Sequence, residues 1–192
     1  MNHIWEHIVK YSKIGEEFSH ASLDQAMLLP QGLIEDCRQW IRCPNKNLIL
    51  FGNTGAGKSY VLHALARNLA LRNLYSIVVN SLELDTRLSM ASQNRSGGEK
   101  VSDIIPVYAE APFLFLDDVG MEISGERMQR NYYRLFDYRY IHHKPWVIST
   151  NCDQAELEQR FGYRTASRMS RSLTIEFPKK DLRKDIDINL KT

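Results

Sequence analysis

The spacing of apolar residues changes character along the chain. Over residues 3–18, apolar side chains recur every three or four positions, which predicts an amphipathic helix. The same spacing predicts a second helix over 31–42, directly after Pro30. From residue 47 onward, short continuous apolar runs alternate with helical segments, so the chain is predicted to change there from helices alone to a mixed architecture.

Five apolar runs have the length and the β-branched content of buried strands. They are NLILFG at 47–52, YSIVVN at 75–80, APFLFLDDVG at 111–120, WVISTN at 146–151 and LTIEF at 173–177. Helical patterns cover 59–73, 101–109 and 125–143, and the polar stretch 90–100 predicts a mobile loop. Apolar strands separated by helices are typical of a parallel sheet covered on both faces, which predicts one three-layer α/β domain.

Composition changes this picture little. The 192 residues are 43% hydrophobic and 25% charged, with a net charge of +2, as in ordinary soluble proteins. The three cysteines fit neither a disulfide framework nor a zinc site, which favours a reducing, cytoplasmic location. No apolar run approaches the length of a membrane span, and the polar N-terminus does not resemble a signal peptide. We therefore expect no membrane partner.

The first candidate site is the sequence GNTGAGKS at 52–59, which matches the pattern G-x-x-x-x-G-K-[ST] between a strand and a helix. Glycines let the backbone close around phosphates, and the N–H groups and the helix N-terminus form an anion nest. Lys58 is expected to reach the β- and γ-phosphates, and Ser59 to bind Mg²⁺. The predicted nucleotide-binding residues are Gly52, Asn53, Thr54, Gly55, Ala56, Gly57, Lys58, Ser59 and Tyr60.

Two aspartates end the third predicted strand, at the sheet edge where open α/β proteins bind ligands. Asp117 is placed to hold Mg²⁺ through water, and Asp118 to polarise a water for attack on the γ-phosphate. Paired acids also cap helices, but a P-loop in the same chain favours the site. Many ATPases carry glutamate at the second position, so the shorter Asp118 predicts slow hydrolysis or a different water position.

The tip of the fourth predicted strand supplies another polar group. Asn151, with Thr150 as the alternative, is placed to contact the γ-phosphate and to orient the attacking water. The competing interpretation is a helix N-cap. Asp153 with Glu156 has the spacing of a capping box and fits that role better, which leaves Asn151 available for the site.

The motifs GNTGAGKS, FLFLDDVG, STN and RTASRMSR, in this order and spacing, resemble those of AAA+ ATPases. Within that superfamily, residues 18–184 resemble the DnaC/DnaI replicative helicase loaders and the related IstB transposition helpers. The resemblance implies a three-layer αβα P-loop NTPase core with a parallel five-stranded sheet. Because the sequence ends at Thr192, we expect little or no C-terminal lid. It divides the chain into a short N-terminal helical extension, 1–29, that docks a partner or packs on its own domain, and an AAA+ ATPase domain, 30–192.

Positive charge is concentrated near the C-terminus, where eight basic and two acidic residues lie between positions 160 and 184. Such a run is ordinarily a solvated face. The resemblance implies that one arginine enters the active site of a neighbouring subunit, and it points to Arg168, with Arg164 as the alternative. Arg183 lies where the family carries a terminal arginine that contacts the nucleotide.

A second basic stripe lies on the predicted helix 125–143, where Arg127, Arg130 and Arg134 alternate with tyrosines. Arginines beside aromatic rings suit single-stranded nucleic acid, although aromatic residues on an amphipathic helix are also typical of a core. Arg95 and Lys100, in the polar stretch, are further candidates for a DNA channel.

Three functions fit these observations. The first is an ATPase of DNA replication, a helicase loader that uses ATP and Mg²⁺, binds single-stranded DNA, forms nucleotide-dependent oligomers and assembles with a replicative DNA helicase. The second is an IstB-like transposition helper ATPase. The third is a weakly hydrolysing, nucleotide-gated adaptor that regulates a helicase.

Overall fold

The computed structural model describes residues 18–93, 98–122 and 125–183, which contain five β-strands and seven α-helices. The strands are β1 (Leu48–Phe51), β2 (Ser76–Asn80), β3 (Phe113–Val119), β4 (Trp146–Thr150) and β5 (Leu173–Glu176). The helices are α1 (Gln31–Arg42), α2 (Lys58–Leu71), α3 (Ser81–Gln93), α4 (Val101–Glu110), α5 (Glu126–Ile141), α6 (Gln154–Phe161) and α7 (Tyr163–Met169). A 3₁₀ turn, Leu23–Gln25, precedes α1.

The five strands form one parallel sheet in the order β2-β3-β4-β1-β5. This confirms the predicted strand number and direction. Because β4 lies between β1 and β3, its carboxyl end lies between the P-loop and the paired aspartates. The strand order thus brings three segments that are distant in sequence to one edge of the sheet.

Alternate residues of strands β1 to β4 enter two separate cores, whereas in the edge strand β5 only Ile175 is buried. Leu48 and Leu50 point toward α1 and α2, whereas Ile49 packs with side chains of α3 to α7 on the opposite face. This alternation follows the two-residue period of a strand, and both faces are apolar because both are covered. The predicted three-layer αβα architecture is therefore confirmed.

The helix α3 is the main departure from the sequence-based expectation, since its end, at Gln93, lies inside the stretch predicted to be a loop. Asn80 starts this helix, because its Oδ1 accepts hydrogen bonds from the backbone N–H of Leu82, at 3.0 Å, and of Glu83. Leu84 and Leu88, four residues apart, are both buried. Residues 94–97, with Arg95, lie outside the described part of the chain.

The helix predicted over 3–18 lies almost entirely outside the described residues. Residues 18–29 pack against α2: the hydroxyl of Tyr60 donates to the carbonyl oxygen of Ser22 and accepts from its N–H, both at 3.1 Å. The domain boundary between residues 29 and 30 stays a prediction. The expected absence of a C-terminal lid concerns residues beyond 183 and lies outside the described range.

Gly162 separates α6 from α7 with a φ of 80°, in the left-handed region that favours glycine. Asp153 caps α6 as expected, because its side chain accepts from the N–H of Glu156 at 2.9 Å and Glu156 reciprocates. Arg160 consequently lies on a different helix from Arg164 and Arg168. No helix in the described ranges combines the length and the apolar character that a membrane span needs.

Candidate nucleotide-binding site

The glycine-rich loop connects β1 directly to α2. Gly55 and Gly57 have φ values of 78° and 92°, in the left-handed region that side chains rarely adopt. At Gly55 there is also no room for a side chain, because a Cβ would lie 2.0 Å from Oδ1 of Asp181. The helix α2 begins at Lys58, so its first N–H groups are directed at the loop. This is the arrangement that the motif predicted.

Lys58 is almost entirely buried within the loop, with 7% of its surface exposed. Its Nζ donates to the carbonyl oxygens of Gly52 and Asn53, each at 2.8 Å. Burial lowers the pKa of Lys58, and the charges of Asp118 and Asp117 oppose that change. The ammonium group therefore lies inside the phosphate-binding loop, opposite the two carboxylates.

Ser59 and Asp117 meet as expected, since Oγ of Ser59 donates to Oδ1 of Asp117 at 3.0 Å. The hydroxyl of Ser149 donates to the same oxygen, and Nε2 of His63 lies 3.9 Å from Oδ2. Burial raises the pKa of Asp117, while the hydrogen bonds from Ser149 and Ser59 lower it. This carboxyl group is therefore fixed in one orientation.

The oxygen atoms of Ser59 and Asp117 fit a Mg²⁺ ion, which prefers hard oxygen ligands. Within the described ranges, no group of three or more histidines, cysteines or acids is arranged to hold a metal. The two side chains would share the ion with phosphates and water, which is the usual way that proteins bind Mg²⁺.

Asp118 has an unusual backbone, with a φ of 55° in the left-handed region. Such a conformation costs a non-glycine residue about 1–3 kcal/mol and persists only where surrounding contacts enforce it. The side chain is exposed, yet desolvation of its carboxyl group raises the pKa, as does the charge of Asp117, whereas Lys58 and Arg183 lower it. Asp118 is thus exposed where Asp117 is buried. Besides burial, neighbouring charges set the pKa of Asp118, whereas hydrogen bonds from serines act mainly on the pKa of Asp117.

The two candidates at the tip of β4 differ in their contacts. Thr150 is buried, and its Oγ1 donates to the carbonyl oxygen of Val119 at 2.6 Å and accepts from the N–H of Cys152 at 3.0 Å. Asn151 is exposed, with its Oδ1 3.9 Å from the sulfur of Cys152. Because Thr150 joins β4 to β3, Asn151 is the better candidate to contact a nucleotide.

The segment after β5 lies across the P-loop. The N–H of Leu182 donates to the carbonyl oxygen of Gly55 at 2.9 Å, and Nη2 of Arg183 lies 2.9 Å from the position of a Cβ on Gly55. Nε of Arg183 donates to Asp181 at 3.2 Å. The structure therefore brings Arg183 to the loop, as expected, whereas nothing in the sequence indicated the contacts of Asp181 and Leu182.

Arg168 is held within its own chain. Its guanidinium group pairs with Asp137, donates to the carbonyl oxygen of Arg164 at 2.9 Å, and lies 5.2 Å and 5.3 Å from the ring centres of Tyr133 and Tyr140. Arg164, one turn earlier on α7, is exposed. A role in a neighbouring subunit stays a prediction for both arginines.

A separate cleft of about 520 Å³ lies beside α5, and no residue of the P-loop lines it. It is lined by Ser92, Val101, Arg127, Arg130, Asn131, Tyr133 and Arg134. The three arginines are exposed, whereas Asn131 is only 7% exposed and its Nδ2 has no hydrogen-bond partner among the described residues. The basic stripe noted in the sequence therefore borders a cavity with an unused donor. Tyr132, by contrast, lies in the core.

Sequence reasoning missed Ser149, which fixes Asp117. One signal was present: all five residues of β4 are buried, and a buried hydroxyl requires a partner. His63, which stacks on Phe18 with ring centres 4.5 Å apart, gave no comparable signal because it lies within an ordinary helical pattern.

A P-loop, an acid-bearing neighbouring strand and a polar strand tip meet at one edge of a parallel sheet, and together they define a P-loop nucleotide-binding domain of the AAA+ class. The chain belongs to the family of IstB-like ATP binding proteins, whose family model matches residues 6–170. ATP binding is therefore the property that fold, site and family share.

Several individual relatives are proteins of DNA replication. The chain is 25% identical over 141 residues to the chromosomal replication initiator protein DnaA of Onion yellows phytoplasma (strain OY-M), covering 73% of this chain and 27% of that protein. It is 29% identical over 119 residues to the replicative helicase loader DnaI of Bacillus subtilis (strain 168), covering 62% of this chain and 37% of the loader. A crystal structure of DnaI superposes with a TM-score of 0.74 and 26% identity, covering 87% of this chain and 96% of that one. The aligned regions of the full-length DnaA and DnaI proteins, 27% and 37% of their sequences, are well under half of each protein.

Proposed function

We propose that the protein is an ATP-dependent DNA replication protein, a replicative helicase loader that binds ATP and single-stranded DNA and assembles with a ring helicase. The carrying observation is that one small domain holds both a P-loop site, with Ser59 joined to Asp117, and an arginine-lined cleft. The similarity to the helicase loader DnaI supports the assignment to replication.

In this proposal, the side chains of the nucleotide site divide the work of ATP hydrolysis. Lys58 would exchange the two loop carbonyls for phosphate oxygens, and Ser59 and Asp117 would hold Mg²⁺. When bound, the ion neutralises charge that develops on the phosphates. Asp118 would polarise the attacking water, and Asn151 would orient it. Because aspartate is shorter than glutamate, we expect slow hydrolysis that DNA or a partner stimulates.

The cleft beside α5 is the proposed site for single-stranded DNA. Arg127, Arg130 and Arg134 supply positive charge for the phosphate backbone, and the ring of Tyr133 can accept a stacked base. Nδ2 of Asn131 adds a buried donor that uses none of its capacity within the described residues.

We also propose that the protein self-associates when ATP is bound and that Arg168 or Arg164 completes the site of the next copy. Arginine suits this task because its charge is delocalised and its donors match phosphate oxygens. Arg168 would have to leave Asp137 to act there, whereas Arg164 is exposed. Arg183 would contact the nucleotide bound to its own chain. A cytoplasmic location follows from this proposed role.

The test is co-purification of the full-length protein with the replicative helicase of the same organism, with ATP, with ADP and without nucleotide. We expect association that depends on ATP and is lost in Lys58→Ala. Failure to bind the helicase under every condition would contradict the loader assignment.

A second candidate is a transposition helper ATPase, which the match to the IstB-like family favours. Capture of a transposase in place of a helicase in the same experiment would favour it. A third, a nucleotide-gated adaptor, would be favoured if Asp118→Asn preserved helicase regulation while Lys58→Ala abolished it.

A further inference from the structure

The strand β3 carries a bulge at the paired aspartates. Its pairing with β4 runs from Leu116 opposite Ile148 to Val119 opposite Thr150, so β3 advances three residues where β4 advances two. The extra residue falls at Asp117–Asp118, and Asp118 adopts the left-handed φ of 55°. Bulges of this kind redirect a side chain next to an active site. Here the bulge coincides with the two acids of the candidate site.

A bulged residue loses its partners in the strand ladder, so its backbone groups need others. The N–H of Asp118 donates to Oγ of Ser149 at 2.9 Å. Its carbonyl oxygen accepts from Oγ of Ser81 at 2.8 Å. Two serine hydroxyls, one on each side, therefore replace the ladder hydrogen bonds and define the orientation of this peptide.

Ser81 is the first residue after the end of β2, which pairs with β3 as far as Asn80 opposite Asp117. It is completely buried, and it is itself held in place, because the hydroxyl of Tyr132 donates to its carbonyl oxygen at 2.9 Å. Tyr132 is also completely buried. A continuous chain of hydrogen bonds therefore runs from α5 through Ser81 to the backbone of Asp118.

We infer that Ser81, supported by Tyr132, is a positioning residue for Asp118 in ATP hydrolysis, an inference that rests on the proposed function. Ser81 is not placed among the phosphate-binding groups, since its side chain contacts the carbonyl oxygen of the bulge. Its loss should therefore affect the orientation of the attacking water and leave nucleotide binding intact. A purely structural role would instead reduce both properties together.

The experiment compares Ser81→Ala with the wild type and with Ser76→Ala in the full-length protein. Ser76 is a matched control: it is the first residue of β2, is completely buried, and its Oγ has no hydrogen-bond partner among the described residues. The measurements are kcat for ATP hydrolysis, the affinity for a fluorescent ATP analogue, and the melting temperature.

We expect Ser81→Ala to lower kcat on the order of 100-fold, the size of effect that a misplaced reacting group produces, with analogue affinity close to wild type and a melting temperature that is lowered but stays above the assay temperature. Tyr132→Phe should lower kcat less, because Tyr132 acts on Asp118 through Ser81 and does not contact it, and Ser76→Ala should match the wild type. Unchanged kcat in Ser81→Ala, or an equal loss of affinity and kcat, would overturn the inference. A wild-type protein that hydrolyses no ATP would contradict the proposed function and the inference with it.

Discussion

The pKa of Asp118 depends on the burial of its carboxyl group and on three neighbouring charges. Desolvation and the charge of Asp117 raise its pKa, and the positive charges of Lys58 and Arg183 lower it. A carboxylate that must be ionised to polarise water loses activity as the pH falls through its pKa. Because the net change is upward, we expect the acid limb of the hydrolysis rate at a higher pH than an unperturbed aspartate would give.

Arg183→Gln should move that acid limb to still higher pH. The substitution removes one of the two positive charges that lower the pKa of Asp118, so the carboxyl group takes up its proton at a higher pH. The measurement is kcat at saturating ATP over a series from acidic to neutral pH, which separates the effect from any change in nucleotide affinity.

Lys179→Gln is the matched control for this prediction. Lys179 lies in the same segment after β5, is exposed, and is not one of the charges that act on Asp118. Equal displacement of the acid limb in both variants, or none in Arg183→Gln, would show that Arg183 does not act on Asp118.

At this scale, the sequence predicts residues that belong to a fixed spacing and misses those that depend on a local distortion. Lys58 and Ser59 are predictable because the loop motif fixes their distance from the glycines. Ser81 and Ser149 are not, because their roles arise from the bulge in β3, which no apolar period reports. The pairing of Arg168 with Asp137 joins two helices and was equally invisible.

Among the secondary-structure elements, α5 contributes one arginine to the core. Arg139 is completely buried and donates to carbonyl oxygens at and just beyond the end of α4, on Tyr108, Ala109 and Ala111. Burial lowers its pKa to about 9, so it stays protonated at neutral pH. The positive charge of Arg139 also interacts favourably with the negative, C-terminal end of the α4 dipole. Arg139 thus fastens α4 and the start of β3 to α5.

Arg139→Met should lower the free energy of unfolding by about 3 kcal/mol, because several buried carbonyl groups lose their donor at once. Urea unfolding followed by circular dichroism measures the change. Arg134→Met, on the exposed side of the same helix, should change it by less than about 0.5 kcal/mol. Equal stability of the two variants would contradict the role given to Arg139.

The exposed face of α5 gives a prediction about DNA. Arg130→Gln and Arg134→Gln should each weaken binding of an oligothymidylate and reduce the slope of log affinity against log salt by about 1, since each would lose one phosphate contact. Fluorescence anisotropy at several salt concentrations measures both quantities. Arg42→Gln, on α1, removes the same charge far from the cleft in sequence and should leave both unchanged. A slope that is unaltered in the cleft variants would exclude the cleft as the DNA site.

The helices differ in how well the sequence predicts them, and the reason is the strength of their apolar pattern. The helix α1 has a clear apolar stripe, and its predicted and observed bounds coincide. The helix α3 carries few apolar residues and owes its start to the side chain of Asn80 at the end of β2. That cap is evident only once the strand is placed, so the sequence alone predicts no helix over 81–89 and a loop over 90–100.

For the whole molecule, the strand number and the parallel sheet followed from five apolar runs. Strands β1 to β4 are buried on both faces and therefore need apolar residues at nearly every position, whereas only Ile175 of the edge strand β5 is buried. Whether an arginine of a neighbouring subunit completes the active site cannot be predicted from the apolar pattern. The contacts of Arg168 all lie on α5 and α7 of its own chain, so this side chain does not serve the phosphate site of the chain that carries it. Whether a second copy supplies one is a property of the assembly.

Mixing two inactive variants tests that property. Lys58→Ala should not bind ATP but keeps its arginines, whereas Arg168→Ala should bind ATP but cannot serve a neighbour. In a head-to-tail assembly with random mixing at equal amounts, about a quarter of the interfaces pair an intact P-loop with an intact arginine. We therefore expect the mixture to recover up to about a quarter of the wild-type ATPase activity, although each variant alone is inactive.

Three comparisons make this result specific to one arginine. Arg164→Ala in place of Arg168→Ala tests the exposed alternative on the same helix. The residue that acts in the neighbour is the one whose variant hydrolyses no ATP by itself but regains activity when mixed with Lys58→Ala. Arg171→Ala, whose arginine donates to the hydroxyl of Tyr140 at 2.7 Å, is the matched control and should hydrolyse ATP at the wild-type rate. The double variant Lys58→Ala/Arg168→Ala has neither an intact P-loop nor an intact arginine. Mixing it with either single variant should therefore restore no ATPase activity. If neither arginine variant loses hydrolysis, or if no mixture recovers it, the active site is complete within one chain and the basic cluster on α7 serves another purpose.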